Sequence, residues 1–452
     1  MQILDHFRDH VDENYKDEIV QQIYLTSKNI CDTAVKMGNT QINGRTQRLD
    51  ALFTSRWLGF PIMLLILGVI FYITIAGANV PSGMLADAFN SVETILSQWL
   101  AFLHAPEWVN GVFILGLFRG TAWVISVMLP PMAIFFPIFG LLENYGYLPR
   151  VAFNLDRIFK KVGAHGKQSL TMAMGFGCNA AAIISTRIIE SPRERMLAIL
   201  TNNFVPCNGR WPTLILIATL FMASGFSVGT QPLITTLTLV GMVLIGIAVT
   251  LQVSFLLSKT LLKGIPTHYT LELPPYRRPK FWDTIFHTSI DRSLSLLKRA
   301  IIVAAPASIL TWVLANIQMG DLSILMHLVN FFDPLAKTLG LDGFILLAFI
   351  LGLPANEIVI PILLMGYLST GALTEIEDLT QIKSIFIEHG WTWLTALNTM
   401  LFSLLHYPCG TTLFNIYKET KSIKWMFLAF IIPTVIAVGV TFTVTQIAHF
   451  IQ

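Results

Sequence analysis

The chain has 452 residues, of which only 13% are Asp, Glu, Lys or Arg and 54% are hydrophobic, with a mean hydropathy of +0.64. Soluble proteins carry about 25% charged residues, so a chain this poor in charge cannot cover a water-facing surface. The composition excludes a soluble multidomain protein and predicts an all-α, polytopic helical membrane protein in a lipid bilayer. A net charge of +3 does not indicate a nucleic-acid partner. Four cysteines are too few and too widely spaced for a disulfide framework.

Apolar runs alternate with connections whose Lys and Arg content predicts the side of the membrane on which each connection lies. A polar, helix-compatible stretch at 1–57 precedes a first crossing at 58–76. The connection 77–110 has no Lys or Arg, contains an amphipathic stretch at 84–103, and is expected outside. Further crossings are predicted at 111–142 (interrupted at Pro130-Pro131), 196–223, 232–258, 301–317, 391–417 and 425–450.

Two further apolar pieces, 169–186 and 344–365, have flanks whose charges place both ends on one side. We expect the first to enter the membrane and return from the inside, and the second from the outside. The prediction is seven full crossings with two re-entrant pieces, within a range of seven to ten spans. The N-terminus is expected in the cytoplasm and the C-terminus outside.

The chain also contains an internal repeat. With a shift of 177 residues, 156–184 aligns with 333–361 without a gap, and eight of the 29 positions are identical. About two identities are expected by chance. A second correspondence pairs Pro206-Cys207 with Pro408-Cys409. If the copies enter from opposite sides, the repeats are inverted, which is typical of transporters with a substrate site near the midplane. The alternative is a duplication that survives only as scaffold.

Four segments break helix rules at membrane depth, and each break carries polar groups. They are Gly175-Phe-Gly177-Cys178-Asn179, Pro206-Cys207-Asn208-Gly209-Arg210, Gly352-Leu-Pro354-Ala-Asn356-Glu357 and Pro408-Cys409-Gly410-Thr411. Such breaks persist in lipid only where they are buried in protein or line a cavity. Because thiolate sulfur suits ferrous iron, zinc or copper(I) better than magnesium or calcium, the set favours a borderline or soft metal.

We therefore predict a metal transport path lined by seven side chains, with six glycines and prolines shaping its backbone. The side chains are those of Cys178, Asn179, Cys207, Asn208, Asn356, Glu357 and Cys409, and the backbone residues are Gly175, Gly177, Gly352, Pro354, Pro206 and Pro408. For each lone cysteine the alternative is a small buried hydrophobe.

Glu357 is the most informative single residue, because an ionisable group deep in a span is costly and indicates function. The alternative is a structural partner for Arg119 or Arg210. His406, close to Cys409, is either a metal ligand or a packed, hydrogen-bonded side chain.

The motifs occur in an order that resembles the membrane part of the ferrous iron transport protein B family. They are Arg56-Trp-Leu-Gly-Phe-Pro61, Gly175-Phe-Gly-Cys-Asn179, Pro192-Arg-Glu-Arg-Met-Leu197, Leu271-Glu-Leu-Pro-Pro-Tyr276 and Tyr407-Pro-Cys409. The resemblance, which covers about residues 45–450, implies uptake of Fe(II) as the transported substrate across a bacterial cytoplasmic (inner) membrane, through two gate regions.

The predicted topology, the repeat and the resemblance together divide the chain into segments. They are a cytosolic helical linker (1–57), first spans with an external amphipathic segment (58–143), a first gate repeat (144–258), a cytosolic connection (259–299), a second gate repeat (300–417) and a final span (418–452).

The sequence departs from that family in lacking a Gly-x-x-x-x-Gly-Lys-Ser/Thr loop, since Gly163-Ala-His-Gly-Lys167 has the wrong spacing. We expect no GTP site and no catalytic residue in this chain. Either the G domain is a separate polypeptide, or this chain lacks it, or the pore works without nucleotide. A separate cytosolic G protein would dock near residues 1–57 and the cytosolic connections. A small accessory protein is a further expected partner, and the chain is expected to form a homo-oligomer.

Three other functions are compatible with parts of the pattern. The first is a transporter of the same architecture for Zn(II), Mn(II) or a nucleoside. The second is an intramembrane metalloenzyme, but its His-Glu-x-x-His motif or paired aspartates are missing. The third is a signalling or assembly subunit that only docks a GTPase.

Overall fold

The computed structural model describes residues 15–34, 44–55, 57–164, 166–225, 227, 230–264, 276, 293–373 and 379–451. It is 84% helical, and the strands in these ranges form one small antiparallel hairpin of Gln318–Met319 with Leu322–Ser323. The predicted all-α class is confirmed. Arg56 and residues 271–275 of the motifs noted above lie outside the described residues.

The α-helices longer than five residues are numbered here in chain order. They are α1 (Tyr15–Ala34), α2 (Gly44–Phe53), α3 (Gly59–Phe102), α4 (Arg119–Tyr145), α5 (Tyr147–Lys161), α6 (Lys167–Gly177), α7 (Asn179–Ser185), α8 (Pro192–Thr201), α9 (Trp211–Ile217), α10 (Gln231–Lys259), α11 (Leu294–Asn316), α12 (Ile324–Thr338), α13 (Gly343–Leu351), α14 (Val359–Leu368), α15 (Leu379–Glu388), α16 (Trp393–Leu405), α17 (Gly410–Thr420) and α18 (Ile423–Ile451).

The first predicted crossing does not end near residue 76. Helix α3 runs for 44 residues through Pro81 and includes the amphipathic stretch that was assigned to a connection. Pro81 removes one backbone donor, but the buried face of α3, with Ile70, Thr74 and Ala78, packs along α4 and holds the helix together. The predicted end of the first helix near residue 76 is therefore wrong, and the amphipathic stretch continues the same helix.

The predicted interruption at Pro130-Pro131 is also wrong. Helix α4 continues through both prolines and through Pro137. A π-helical segment, Asn110–Phe118, leads into α4. Since α4 packs against both α3 and α11, neighbouring helices support the turns that lose a hydrogen bond.

Four helical segments of the described chain are long and apolar enough to cross a membrane. They are Glu107–Tyr145, Leu233–Lys259, Leu294–Asn316 and Ile423–Phe450. Helices α12 and α13 form a fifth, bent pair at 110°. The predicted crossings at 196–223 and 391–417 are each split near a Pro-Cys pair. The chain is a multi-pass helical membrane protein, and the total of seven crossings stays a prediction.

The internal repeat is present in the structure and is longer than the sequence alignment indicated. Helices α5 and α12 both have 15 residues and are displaced by the same 177 residues. In each copy an aspartate accepts a hydrogen bond from a backbone amide and pairs with a lysine one turn away. The first copy has Gly166 N to Asp156 at 3.0 Å and Lys160–Asp156 at 2.9 Å, and the second has Gly343 N to Asp333 at 3.2 Å and Lys337–Asp333 at 2.6 Å.

The whole order of elements recurs. A long helix, an amphipathic helix, a helix broken at glycine, a helix broken at Pro-Cys and a second long helix make up α4–α10. The same series makes up α11–α18, in which α15 is an insertion. The two halves therefore bring four broken helices into the protein interior.

Candidate transport site

The two glycine breaks have the same backbone geometry. Cys178, between α6 and α7, has φ −156° and ψ 119°, and Ala355, 177 residues later, has φ −151° and ψ 121°. The repeat therefore places a thiol in the first break where the second has a methyl group. Two residues further, Glu357 occupies the position of Ala180. Within the two glycine breaks, the thiol therefore lies in the first copy and the carboxylate in the second.

The other two breaks are joined by Arg210, which is fully buried. Its guanidinium donates to the backbone oxygens of Asn203 at 2.6 Å, Leu404 at 2.8 Å, His406 at 3.1 Å and Tyr407 at 3.2 Å. These carbonyls lie next to Pro206-Cys207 in one half and Pro408-Cys409 in the other. A buried cation thus satisfies the oxygens that both prolines release from the helical ladder.

Glu357 is 8% exposed and lies against Gly209, where an added Cβ would be 2.6 Å from the Glu357 Cδ. The alternative that Glu357 is a structural partner of an arginine is wrong. Arg119 pairs with Glu93, and Arg210 binds carbonyls. In the ranges that the structure describes, Glu357 forms no ion pair with a basic side chain.

The three membrane thiols are free. Helix α17, which follows Cys409, packs against α7, which follows Cys178, and the turn Asn208–Arg210 after Cys207 contacts the turn Asn356–Ile358 that contains Glu357. Yet among the described residues no three His, Cys, Asp or Glu side chains are close enough to hold one metal ion together. The structure gathers these donors without closing them into a ligand set.

Amide groups line the same region. Asn202 donates to Asn179 Oδ1 at 3.1 Å, and Asn179 Nδ2 faces the Val205 carbonyl at 3.4 Å. The Oδ1 atoms of Asn202 and Asn356 are buried without a hydrogen-bond partner in the described chain. A buried acceptor without a partner is costly, and it is a suitable oxygen for a cation that has lost water.

Asn202 was not predicted from the sequence. The sequence feature that could have indicated it is the Asn202-Asn203 pair, which follows α8 and lies just before a Pro-Cys break. Gly175 makes room for it, because a Cβ there would be 3.0 Å from Asn202 Nδ2.

Asn208 lies beside a small closed space at the end of α6. The cavity has a volume of about 10 Å³, and Thr74 of α3, Phe176, Gly177 and residues of α4 complete its lining. This volume holds about one water molecule. Gly177 is required here, since a Cβ would overlap the Phe135 ring, with Cζ at 2.6 Å and two other ring atoms closer.

The remaining predicted residues shape the second half. Gly410 N donates to the Leu353 carbonyl at 2.6 Å, which ties the Pro408 break to the turn that contains Pro354. A Cβ at Gly352 would be 2.6 Å from Val359. His406 is packed: its Nδ1 lies 2.9 Å from the Phe402 carbonyl. The geometry favours the packed alternative for His406 over a metal ligand.

Two family models match the chain. The model described as nucleoside recognition, the Gate model, matches residues 125–221 and 297–423. The model described as ferrous iron transport protein B C terminus matches residues 239–291. The first of these covers all four helix breaks.

Three relatives illustrate the similarity to complete proteins. The Fe(2+) transporter FeoB of Staphylococcus aureus is 30% identical over 417 residues, 89% of this chain and 59% of the relative. The Fe(2+) transporter FeoB of Leptospira biflexa is 26% identical over 96% of this chain and 64% of the relative. An Fe(2+) transport protein A/Fe(2+) transporter FeoB fusion protein of Porphyromonas gingivalis is 26% identical over 90% and 52%. The chain spans less than two thirds of each relative. No solved structure matches.

Proposed function

We propose that this chain, which belongs to the ferrous iron transport protein B family and corresponds to its membrane part, forms the membrane path for Fe(II) uptake into the cytoplasm. The observation that carries the proposal is Glu357, a buried acid without a basic partner among the described residues, whose carboxylate lies against Gly209, two residues after Cys207. Intramembrane acids of this kind mark ion pathways.

The donor chemistry supports a borderline metal. Fe(II) must lose water to pass, and the replacement ligands must be weak enough to release it again. Here the thiols of Cys178, Cys207 and Cys409, the Glu357 carboxylate and the amide oxygens of Asn202 and Asn356 are available in succession. Because no three acidic, thiol or imidazole donors of the described chain meet at one point, the arrangement suits passage better than storage.

The two halves have equivalent breaks, and this supports an alternating path. In the proposal the first broken helix is a gate on the cytosolic side and the second a gate on the external side, related as inverted repeats. Arg210 lies between them as a fixed cation. It holds the Pro-Cys breaks together and limits how strongly the site retains a divalent ion.

Energy coupling belongs to a partner in this proposal. Nucleotide hydrolysis is carried out by a separate cytosolic G protein that docks near residues 1–57 and the cytosolic connections. The printed name of the Porphyromonas gingivalis relative joins an Fe(2+) transport protein A to a transporter, which supports a small accessory protein as a further partner.

Flux of Fe(II) into proteoliposomes that contain an iron-sensitive dye tests the proposal. Glu357→Gln and Cys178→Ser should each lower the uptake rate by at least about tenfold, since each removes a donor from a dehydrated path. Two further measurements test the alternative substrates. Zn(II) and Mn(II) are added as competitors of Fe(II), and the uptake of a labelled nucleoside is measured separately.

Matched control variants remove a carboxylate and a thiol that lie outside the four helix breaks. Glu107→Gln and Cys31→Ser change an exposed acid and an exposed thiol outside the breaks, and they should leave uptake unchanged. If both site variants, eluting as folded protein, transport Fe(II) at the wild-type rate, the path is not lined by these residues. Nucleoside uptake without Fe(II) flux would contradict the assignment of Fe(II) as the substrate.

A further inference from the structure

A groove between α11 and α17 is not used by the proposed transport path. Its volume is about 520 Å³, and its lining includes Ser295, Lys298, Arg299, Ile302, Phe414 and Lys418. The two helices contact each other along this groove. The groove combines three basic side chains with apolar ones, and so has two layers of different chemistry.

The basic layer lies at the end predicted to be cytosolic. Lys298 and Arg299 are in the first two turns of α11, and Lys418 is in the last turn of α17. None of the three forms an ion pair within the described chain. Ser295 adds a hydroxyl to this layer. This layer offers an anion several donors and no competing carboxylate from the described residues.

The apolar layer lies one helical turn deeper. Ile302 follows Lys298 by four residues, and Phe414 precedes Lys418 by four, which is about 6 Å along each helix. Ile302 is 63% exposed and Phe414 41%. The Lys418 ammonium lies 5.2 Å from the centre of the Phe414 ring. A ligand that fits both layers has an anionic head and an apolar chain.

We propose that this groove binds an anionic phospholipid, with the phosphate among Lys298, Arg299 and Lys418 and an acyl chain along Ile302 and Phe414. Basic pockets between spans at the cytosolic side recognise anionic head groups in this way. A soluble acidic peptide would satisfy the charges but would leave the apolar layer uncovered. The lipid site goes beyond the proposed iron path.

A hydrogen-bond chain links the groove to the first glycine break. The Arg299 guanidinium donates to Asn415 Oδ1, and Asn415 Nδ2 donates to the Ala180 carbonyl at 3.0 Å. Asn415 and Ala180 are each 1% exposed. Ala180 is two residues beyond Cys178, so the arginine that holds the phosphate also positions the break. Bound lipid stabilises this arrangement.

Lipid retention by the purified chain tests the site. The chain is placed in nanodiscs of phosphatidylcholine and phosphatidylglycerol mixed equally, released into detergent, and its bound lipids are counted by native mass spectrometry. The wild type should retain phosphatidylglycerol selectively. Lys298→Gln with Lys418→Gln should retain at least about tenfold less, since each basic residue near an anionic membrane surface contributes a factor of about five.

A control pair removes the same charge outside the groove. Lys263→Gln with Lys424→Gln changes two exposed basic residues and should retain phosphatidylglycerol as the wild type does. Equal retention by the groove variant and the control variant, with matching elution profiles, would overturn the lipid site. Displacement of the lipid by inorganic phosphate alone would overturn it in favour of a free anion. Because the readout is bound lipid, the result does not depend on iron transport.

Discussion

Glu357 and Gly209 belong to opposite halves of the chain, and the acid occupies the space that a side chain at residue 209 would need. The residue types of the site could be predicted from sequence, since thiols and an acid in broken spans are uncommon. Their neighbours could not be predicted. Arg210 binds carbonyls of Leu404 and His406, nearly 200 residues away, and no local pattern encodes such a contact.

We expect Gly209→Ala to lower Fe(II) uptake by at least tenfold while the protein still folds. A Cβ at this position would be 2.6 Å from the Glu357 Cδ, so the carboxylate must move away from the path. The dye-based flux assay measures the loss. Adding Glu357→Asp, which shortens the acid, should restore part of the rate. Gly439→Ala is the control, because nothing lies within 4 Å of its added Cβ. Wild-type uptake by Gly209→Ala would contradict the assigned contact.

Arg210 should be among the most stabilising single side chains of the membrane region. Arg210→Met leaves carbonyls at both Pro-Cys breaks without a donor, and each unsatisfied buried group costs about 1–3 kcal/mol. We expect the free energy of unfolding to fall by at least about 3 kcal/mol, measured by thermal unfolding in detergent. Arg187→Met removes an exposed pair with Glu419 and should cost no more than about 1 kcal/mol. Equal effects of the two variants would exclude the bridging role of Arg210.

At the level of elements, the Pro130-Pro131 pair misled the sequence analysis, whereas Pro206 and Pro408, each followed by polar groups, marked real breaks. Pro81, Pro130 and Pro131 lie inside continuous helices. Pro206 and Pro408 precede Cys207 and Cys409, which lie in extended backbone before the next helix. A proline costs one backbone donor, and neighbouring helices offset that cost. A break needs groups that bind the released carbonyls, as Arg210 does.

The repeated loop after α5 and α12 gives a matched test of the duplication. Asp156→Ala and Asp333→Ala each remove an acceptor from a glycine amide and an ion pair with lysine. Because both sites are partly exposed, each should lower the free energy of unfolding by about 1–2 kcal/mol. Thermal unfolding in detergent measures both variants. Asp87→Ala, on an exposed face of α3, is the control. A large effect in one copy alone would mean that the loops no longer have the same role.

At the scale of the whole molecule, the alignment found 29 positions of a repeat that extends over most of the described chain. Glycine and aspartate positions persisted because a turn or a capping contact requires them, as at Gly163 and Gly340 with φ of +75° and +67°. The long helices lost their identity in sequence, since lipid-facing and core positions accept many apolar residues of similar volume. Sequence comparison therefore detects the turns of the duplication and misses its helices.

The linker is joined to the first repeat through a cluster on α5. Arg150, 1% exposed, pairs with Asp50 of α2 at 2.9 Å and lies 4.1 Å from the Tyr276 ring centre. Asn154 donates to the Phe53 carbonyl at 2.7 Å. A partner that moves α2 would act directly on α5, the amphipathic helix that precedes the Cys178 break.

Asp50→Ala should release this junction without changing the membrane core. We expect faster hydrogen exchange, measured by mass spectrometry, in α2 and in the first turns of α5, with no change in α16 or α18, because the lost contacts are confined to one end. Glu107→Ala, at an exposed site far along the chain, provides the control. Unchanged exchange in Asp50→Ala would mean that the linker is held by Asn154 and apolar packing, and that a partner docked on α2 could not act through Arg150.

The same junction has a defined pH dependence. Burial raises the pKa of Tyr276 to about 12, above its usual value of 10. The contribution of the neutral Tyr276 side chain to the stability of the junction is therefore complete below pH 10 and is lost as the pH rises towards 12. Protection of α2 in the wild type should be equal at pH 7 and pH 9 after correction for intrinsic exchange, and weaker protection at pH 9 would contradict this role of Tyr276.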